Sequence, residues 1–262
     1  LAAAATASGP FRVVTESVGT AASGDDVRTL ALQVRERVGA DAVIALGRTV
    51  RASMVGLIDH GSINAVEDFA PMGLDRDAGA LLIVQSDAPS AARADEVAVA
   101  VAACEGAGAS EVFATDDPAE GELFVRARRL HFTAIEARGH VLPEDVGVPV
   151  PQLPALLAAV AEIATRHDLE IPMVAHAGDG NTHPAIIYPH GDADAERRAH
   201  LAFDDIMAAA IALGGTITGE HGVGRLKAGS LEAQLGPDVM ALNRRIKAAL
   251  DPHFILNPGS FV

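Results

Sequence analysis

Apolar side chains recur along the chain with the two periods that distinguish strands from helices. Short runs rich in β-branched residues predict strands over residues 11–18, 40–46, 80–87 and 110–116. Apolar residues spaced three or four apart predict amphipathic helices over residues 24–39, 94–108, 118–139 and 153–168. Glycines end several of these helical segments, as they commonly do at helix C-termini.

The succession of these elements predicts an α+β fold. We expect a ferredoxin-like, mostly antiparallel sheet with helices on one face, followed by a C-terminal helical segment. That segment contains helices over 194–213 and 237–250, and a hairpin over 171–188 precedes it. The predicted organisation is a βαβ segment of uncertain origin (1–50), an α+β substrate or cap domain (51–190) and a C-terminal helical part of the same unit (191–262).

Composition narrows the range of partners. The net charge of -15 argues against a nucleic-acid partner, which would need clustered Lys and Arg. The single cysteine, Cys104, excludes thiolate zinc sites and iron–sulfur clusters, which need several cysteines. No run of about 20 uncharged apolar residues is present that would predict a membrane-spanning helix. We expect a cytoplasmic location, with peripheral contact to the inner membrane as the alternative.

Two histidines flank a predicted hairpin turn in IPMVAHAGDGNTHPAIIYP. Asp179-Gly180 is a preferred two-residue turn, and with that turn His176 and His183 face each other directly across the hairpin. Directly opposed Cβ atoms lie about 4.5–5.5 Å apart, a distance that suits two imidazoles on one metal ion. Two structural histidines beside an ordinary glycine-rich turn are the alternative interpretation.

A second group of candidate residues lies in the glycine-rich segment GGTITGEHGVGRLK. Glu220 and His221 place a third metal ligand and a general base next to each other, and the surrounding glycines permit the bend that directs both to one site. Two histidines and one carboxylate form a metal shell with positions left open for substrate. A solvent-exposed turn is the alternative for this segment alone.

These segments resemble the C-terminal domain of the FAD-linked oxidases, a family that includes glycolate oxidases, D-lactate dehydrogenases and D-2-hydroxyglutarate dehydrogenases. HAGDGNTHP is similar to the family's HxGDGNxH motif, TGEHGVGRLK to its GEHGxGxxK motif, and ILNPGSF to its LNPGK-like tail. INAVEDFAPMGLDRDAGALLIVQSD, ARR and EDVGVP also resemble family segments. The resemblance runs from about Arg51 to the end of the chain.

The resemblance implies a role for each of seven residues. The metal ligands are His176, His183 and Glu220, binding a divalent ion, zinc or manganese, and His221 is the base that takes the substrate hydroxyl proton. Arg128 and Asn181 are substrate-binding positions, and Asn257 approaches the flavin. The implied reaction is FAD-dependent oxidation of a D-2-hydroxy acid, lactate-like or glycolate-like, to the 2-oxo acid.

The sequence contains no glycine-rich pyrophosphate loop of its own. We therefore expect FAD to be bound mainly by a missing N-terminal domain or by another subunit, and the chain alone to be inactive. The expected partners are a small 2-hydroxy acid and the FAD-binding domain or subunit, with a homodimer as one option. The sequence does not define the electron acceptor.

Two other functions fit the same residues. A metal-dependent hydrolase could use the His-His-Glu site to activate water and would need no flavin. A non-catalytic binding module is the third hypothesis, because residues 11–47 also resemble the C-terminal region of bacterial alanyl-tRNA synthetases. A junction between two sequence origins would then lie near 48–51.

Overall fold

A nine-stranded sheet runs through the computed structural model, which describes residues 13–17, 28–34, 51–109, 111–115 and 118–260. Its strands are β1 Val13–Ser17, β2 Arg28–Val34, β3 Met54–Asp59, β4 Ala80–Ser86, β5 Val112–Ala114, β6 His140–Pro143, β7 Val146–Gly147, β8 Met173–His176 and β9 Asn181–Tyr188. Their order is β1-β2-β4-β3-β8-β9-β6, with β5 paired to β2 and β7 to β9. Each of these pairings is antiparallel.

Six α-helices accompany the sheet in the described residues. They are α1 His60–Phe69, α2 Ser90–Gly106, α3 Pro118–Glu136, α4 Leu153–His167, α5 Ala193–Ala212 and α6 Ala228–Leu250. A short 3₁₀ helix, Val150–Gln152, precedes α4. Helix α6 is kinked at Gly236, which has a φ of 77° and is followed by Pro237. The predicted helix over 237–250 is therefore only the second part of a longer element.

The hydrophobic core lies on both sides of the sheet, because successive side chains of a strand face opposite directions. On one side, Leu81 and Ile83 of β4 pack with buried residues of α1 and α3. On the other side, Leu82 and Val84 pack with buried residues of α2, α4 and α5. The predicted α+β class, its mostly antiparallel sheet and the C-terminal helical segment are confirmed. One detail differs: the helices cover both faces of the sheet rather than one.

One predicted helix is wrong. Part of the segment 24–39 forms strand β2, which pairs with β1 and β4. Leu30, Leu32 and Val34 alternate with smaller or polar residues, so the segment carries a strand period as well as a helical one. The local sequence fits a helical and a strand period about equally well, and pairing with β1 and β4 selects the strand. The predicted strand over 40–46 lies outside the described residues.

The helix ends follow from local capping. The Asp59 carboxylate accepts a hydrogen bond from the Ser62 backbone N–H (2.7 Å) at the start of α1. Asp192 does the same for α5, accepting from the backbone N–H of Asp194 and Ala195. Helix α4 ends at His167 and is capped by Asp168, which adopts the left-handed conformation with a φ of 52°. No helix of the described residues has both the length and the apolar character needed to cross a membrane.

Candidate active site

The histidine pair lies on the β8–β9 hairpin, but in a register different from the predicted one. His176 pairs with Asn181, and His183 pairs with Val174, so the two histidines are diagonal neighbours rather than direct partners. The difference of two residues leaves both histidines on the same face of the hairpin. Their ring centroids are 5.4 Å apart and the ring planes cross at 85°.

The register differs because the turn is longer than predicted. Strand β8 ends at His176 and β9 begins at Asn181, which leaves a loop over 177–180. Within this loop Gly180 alone has a positive φ (86°), whereas a two-residue type I′ turn needs positive φ at both central positions. The Asp179 carboxylate instead accepts a hydrogen bond from the Asn181 backbone N–H (2.9 Å), as in an Asx turn.

Glu220 and His221 lie on a turn that a single buried carboxylate holds in place. Asp145 Oδ2 accepts hydrogen bonds from the backbone N–H groups of Gly219, Glu220 and His221, at 2.9, 3.1 and 2.9 Å. It also accepts one from the Thr218 hydroxyl, at 2.9 Å. Burial alone would raise the pKa of Asp145, but these hydrogen bonds outweigh it and the pKa lies below its usual value. Asp145 is therefore a charged anchor for the turn.

The turn brings Glu220 to the histidine pair. Glu220 Oε1 lies 3.1 Å from His183 Nε2 and 3.6 Å from His176 Nε2. One ligand atom from each of these three side chains lies within 4.8 Å of the others, a spacing that fits one divalent cation between them. The geometry thus assembles the three predicted ligands. His221 joins them, with Nε2 3.6 Å from Glu220 Oε1.

A second group of candidate ligands, Asp145, His183 and His221, satisfies the same distance limit. It fits a cation less well for two reasons. The Asp145 carboxylate is already occupied by the hydrogen bonds of the turn. The rings of His183 and His221 are stacked at 17°, so their lone pairs lie in nearly parallel planes and converge poorly on one ion. Glu220 is half-exposed and available, which favours the first group.

Helix α3 contributes a cation to the site. Arg128 Nη2 donates to the His176 ring, 3.2 Å from either ring nitrogen. Gly56 on β3 leaves room for this arginine, because a Cβ at that position would meet the arginine Cδ and Nε at 3.3 Å. Burial lowers the pKa of Arg128, and Glu220 acts in the opposite direction. The structure therefore brings this predicted substrate-binding residue against the cluster.

Asn181 lies beneath the turn that carries Glu220. Its side chain is buried, and its Oδ1 has no hydrogen-bond partner among the described residues. A Cβ on Gly219 would lie 2.0 Å from Asn181 Oδ1, so glycine is required for this close approach. An adjoining cavity of about 490 Å³ is lined by Asn181, Glu220 and residues 147–149 and 214–216, among others. Asn181 thus lines the cavity, while its Oδ1 itself is buried beneath Gly219.

Asn257 stands apart from the other predicted residues. It is exposed on the tail after α6, has a φ of 47°, and makes none of the described contacts with the histidine cluster. The tail nevertheless contacts residues 214–227, the site segment that carries Glu220 and His221, because Arg225 Nη2 donates a hydrogen bond to the Pro258 carbonyl (3.0 Å).

Three buried residues near the site had no predicted role. Lys227 Nζ donates to the backbone carbonyls of Asp145 (2.6 Å) and Ile217 (2.7 Å) and pairs with Glu144. Burial raises the pKa of Glu144 to about 7, against the opposing effect of Lys227. Asp145 and Glu144 lie in EDVGVP, and Lys227 ends GEHGVGRLK, so the motifs contained these residues without indicating what they contact.

Two solved structures share this fold. One is p-cresol methylhydroxylase with substrate bound, at a TM-score of 0.63 and 13% identity, covering 95% of this chain and 52% of that chain. The other is 4-ethylphenol oxidase from Gulosibacter chungangensis, at a TM-score of 0.67 and 13% identity, covering 91% and 54%. At this identity the likeness concerns the fold alone.

The sequence identifies the family. Residues 31–261 match the family model for FAD linked oxidases, C-terminal domain, and the chain belongs to this family. The match begins nearer the N-terminus than the predicted start at Arg51.

Curated relatives include the glycolate oxidase protein GlcD of Bacillus subtilis, 31% identical over 255 residues, or 96% of this chain and 54% of the relative. GlcD of Escherichia coli K12 is 33% identical over 207 residues, covering 78% and 41%. The mitochondrial D-lactate dehydrogenase [cytochrome] of Arabidopsis thaliana is 34% identical over 157 residues, covering 59% and 28%. The chain spans about half the length of the first of these relatives, and less of the others.

Proposed function

We propose that this chain is the substrate- and metal-binding part of an FAD-dependent oxidoreductase that converts a D-2-hydroxy acid to the 2-oxo acid. One observation carries the proposal: the Arg128 guanidinium and the His221 imidazole flank the cluster of His176, His183 and Glu220. A cation for a carboxylate, a base for a hydroxyl and a metal shell are the three features that a 2-hydroxy acid requires. The names of the relatives, glycolate oxidase and D-lactate dehydrogenase, support a small acid of this type.

The metal in this proposal is a divalent ion, zinc or manganese. Two imidazoles and one carboxylate are donors that both ions accept, and three protein ligands leave positions open for a substrate. When bound, the cation supplies a Lewis acid for the substrate oxygens, and FAD supplies the two-electron acceptor.

The side chains of this chain provide binding and proton transfer. Arg128 is the proposed partner of the substrate carboxylate, and Asn181, which lines the adjoining cavity, is the second proposed substrate-binding residue. His221 is the proposed general base, since about half of its side chain is exposed and its Nε2 can face an incoming hydroxyl.

The proposed partner is an FAD-binding domain or subunit that meets this chain at the C-terminal tail. Asn257, the predicted flavin-contacting residue, lies beside Ile255 and Leu256, which are 72% and 58% exposed. Leu226 of the site segment is 62% exposed, and its neighbour Arg225 bonds the tail at Pro258. Exposed apolar side chains of this kind are typical of an interaction surface.

Two measurements test the proposed function. Metal analysis of the purified chain is expected to find zinc or manganese near one equivalent, and Glu220→Gln is expected to lose it. With the FAD-binding part present, D-lactate or glycolate is expected to reduce the flavin, with L-lactate as the matched control. Absence of bound metal together with unreduced flavin contradicts the proposal, and hydrolytic activity of the chain by itself would support the hydrolase alternative.

A further inference from the structure

Asp145 connects the two halves of the site through the two oxygens of one carboxylate. It lies between β6 and β7 and is 1% exposed. Its Oδ2 accepts the hydrogen bonds of the turn over residues 218–221. Its Oδ1 accepts a longer hydrogen bond from the Glu220 N–H (3.3 Å) and lies 3.8 Å from His183 Nδ1 in the other half of the site.

The His183 ring needs a partner at this position. Its Nδ1 is buried and has no hydrogen bond among the described residues, and Asp145 Oδ1 is the carboxylate oxygen that faces it. Its Nε2 is turned to Glu220, 3.1 Å away. A neutral imidazole carries one proton, so a proton on Nδ1 directed at Asp145 leaves the lone pair on Nε2 for a metal ion.

The backbone of Asp145 is held as firmly as its side chain. Lys227 Nζ donates to the Asp145 carbonyl and to the Ile217 carbonyl, next to the turn. Lys227 and its partner Glu144 are both buried. The carboxylate therefore has a fixed position from which to set both the turn and the histidine.

We propose that Asp145 is the positioning residue of the metal site: it fixes the turn that presents Glu220 and His221, and it selects the Nδ1–H tautomer of His183. The inference rests on the proposed function for the identity of the ligand, since a metal is what the free Nε2 would bind. Without the metal, Glu220 Oε1 competes from 3.1 Å for a proton on Nε2, but Glu220 is half-exposed and can turn to water, whereas the buried Asp145 carboxylate cannot.

Asp145→Asn separates the two proposed roles of the carboxylate, which are to hold the turn and to orient the proton of His183. The four donors at Oδ2 require an acceptor, so the amide oxygen is expected to occupy that place and the amide NH₂ to face His183 Nδ1. A donor at that point favours an unprotonated Nδ1, which moves the proton to Nε2 and blocks the ligand position. The turn keeps its four hydrogen bonds to the amide oxygen and loses only the longer contact of the Glu220 N–H with Oδ1, whereas the histidine changes tautomer.

The first test measures the tautomer by ¹⁵N NMR of histidine-labelled full chain without metal, with the His183 signals assigned from a His183→Gln spectrum. We expect Nδ1–H in the wild type and Nε2–H in Asp145→Asn. An Nε2–H tautomer in the wild type overturns the inference, and this result does not depend on whether the variant folds.

The second test measures zinc and manganese affinity by calorimetric titration of the same proteins. Asp145→Asn is expected to bind about 10–100-fold more weakly, the loss typical of an outer-shell partner of a metal-bound histidine. Asp205→Asn is the matched control, because Asp205 pairs with His167 (2.8 Å) away from the site, and it is expected to retain wild-type affinity. Unchanged affinity in a folded Asp145→Asn overturns the inference. If the wild type binds neither ion, the proposed function fails and the tautomer still decides the role of Asp145.

Discussion

His131 lies one helical turn from Arg128 on α3 and is 1% exposed. Both of its ring nitrogens lack a hydrogen-bond partner among the described residues. Burial, with further effects from the positive charge of Arg128 and from His183, lowers the pKa of His131 to about 4. This imidazole therefore stays neutral beside the cationic side of the site.

The pKa of His131 makes the protein sensitive to acid. Above pH 6.5 the ring is neutral in both the folded and the unfolded chain. As the pH falls from about 6.5 to about 4, the unfolded chain binds a proton that the folded chain does not, so the free energy of unfolding decreases by roughly 3 kcal/mol. His131→Leu is expected to remove this part of the acid sensitivity in urea unfolding at several pH values.

The control for this measurement is His200→Leu, at an exposed position on α5. An acid-dependent loss of stability as large in His131→Leu as in the wild type would show that His131 is not its source.

His221 differs from the three proposed ligands because its proposed role is proton transfer. His221→Asn is expected to lower kcat by about 10²–10⁴-fold with the FAD-binding part present, the usual contribution of a general base. Metal content is expected to stay at the wild-type level, because His176, His183 and Glu220 remain. Steady-state flavin reduction and metal analysis on the same preparation check both results. Loss of the metal together with the activity would assign His221 to the metal shell.

At the scale of the element, the β8–β9 loop depends on the close approach of Gly180 to the chain before α4. Gly180 has a φ of 86°, and a Cβ there would lie 2.0 Å from the Val148 carbonyl oxygen. The Val148 N–H also donates to the Gly180 carbonyl (3.0 Å), so moving the two segments apart would break this hydrogen bond.

Gly180→Ala therefore combines a backbone penalty with a steric clash. Gly191→Ala is the matched control, because its φ is 78° but a Cβ there meets nothing within 4 Å. We expect the control to cost about 1–2 kcal/mol and Gly180→Ala to cost a further 1–3 kcal/mol in chemical denaturation. Equal losses in the two variants would mean that the loop accommodates a Cβ by moving.

The elements also show how far local sequence patterns reach. The β8–β9 hairpin is predicted because its apolar residues and its turn lie within one short segment. The register of the hairpin is not predicted, because two interactions favour a longer loop than the two-residue turn that Asp-Gly usually forms. They are the hydrogen bond from the Asn181 N–H to the Asp179 carboxylate and the contact of Gly180 with Val148. Strand β2 is mispredicted as a helix for a related reason: its partner β4 is distant in sequence.

At the scale of the whole molecule, the proposed metal would link β8, β9 and the turn before α6, and it would bind only the folded chain. Free zinc or manganese at 100 times its Kd is expected to raise the free energy of unfolding by about 2.7 kcal/mol. The increase is expected to vanish with a chelator and to be absent in Glu220→Gln, measured by chemical denaturation. A shift of the same size in that variant would mean that the ion binds elsewhere.

The sequence by itself determined the α+β class and indicated His176, His183, Glu220 and His221 as members of one site, whereas Arg128 and Asn181 were added by the family resemblance. These inferences were possible because motif residues and turn residues are local in the chain, with His176 and His183 on one hairpin and Glu220 next to His221. The roles proposed for them rest on the chemistry of those side chains and on the measurements described above.

Only the tertiary structure decided what holds that site together. Asp145 reaches Thr218 across 73 residues of sequence, and Lys227 reaches the Asp145 carbonyl across 82. Arg128 meets His176 across 48. Hydrogen bonds at such separations leave no periodic trace in the sequence, because they depend on how β6, β7 and α3 are placed around the hairpin.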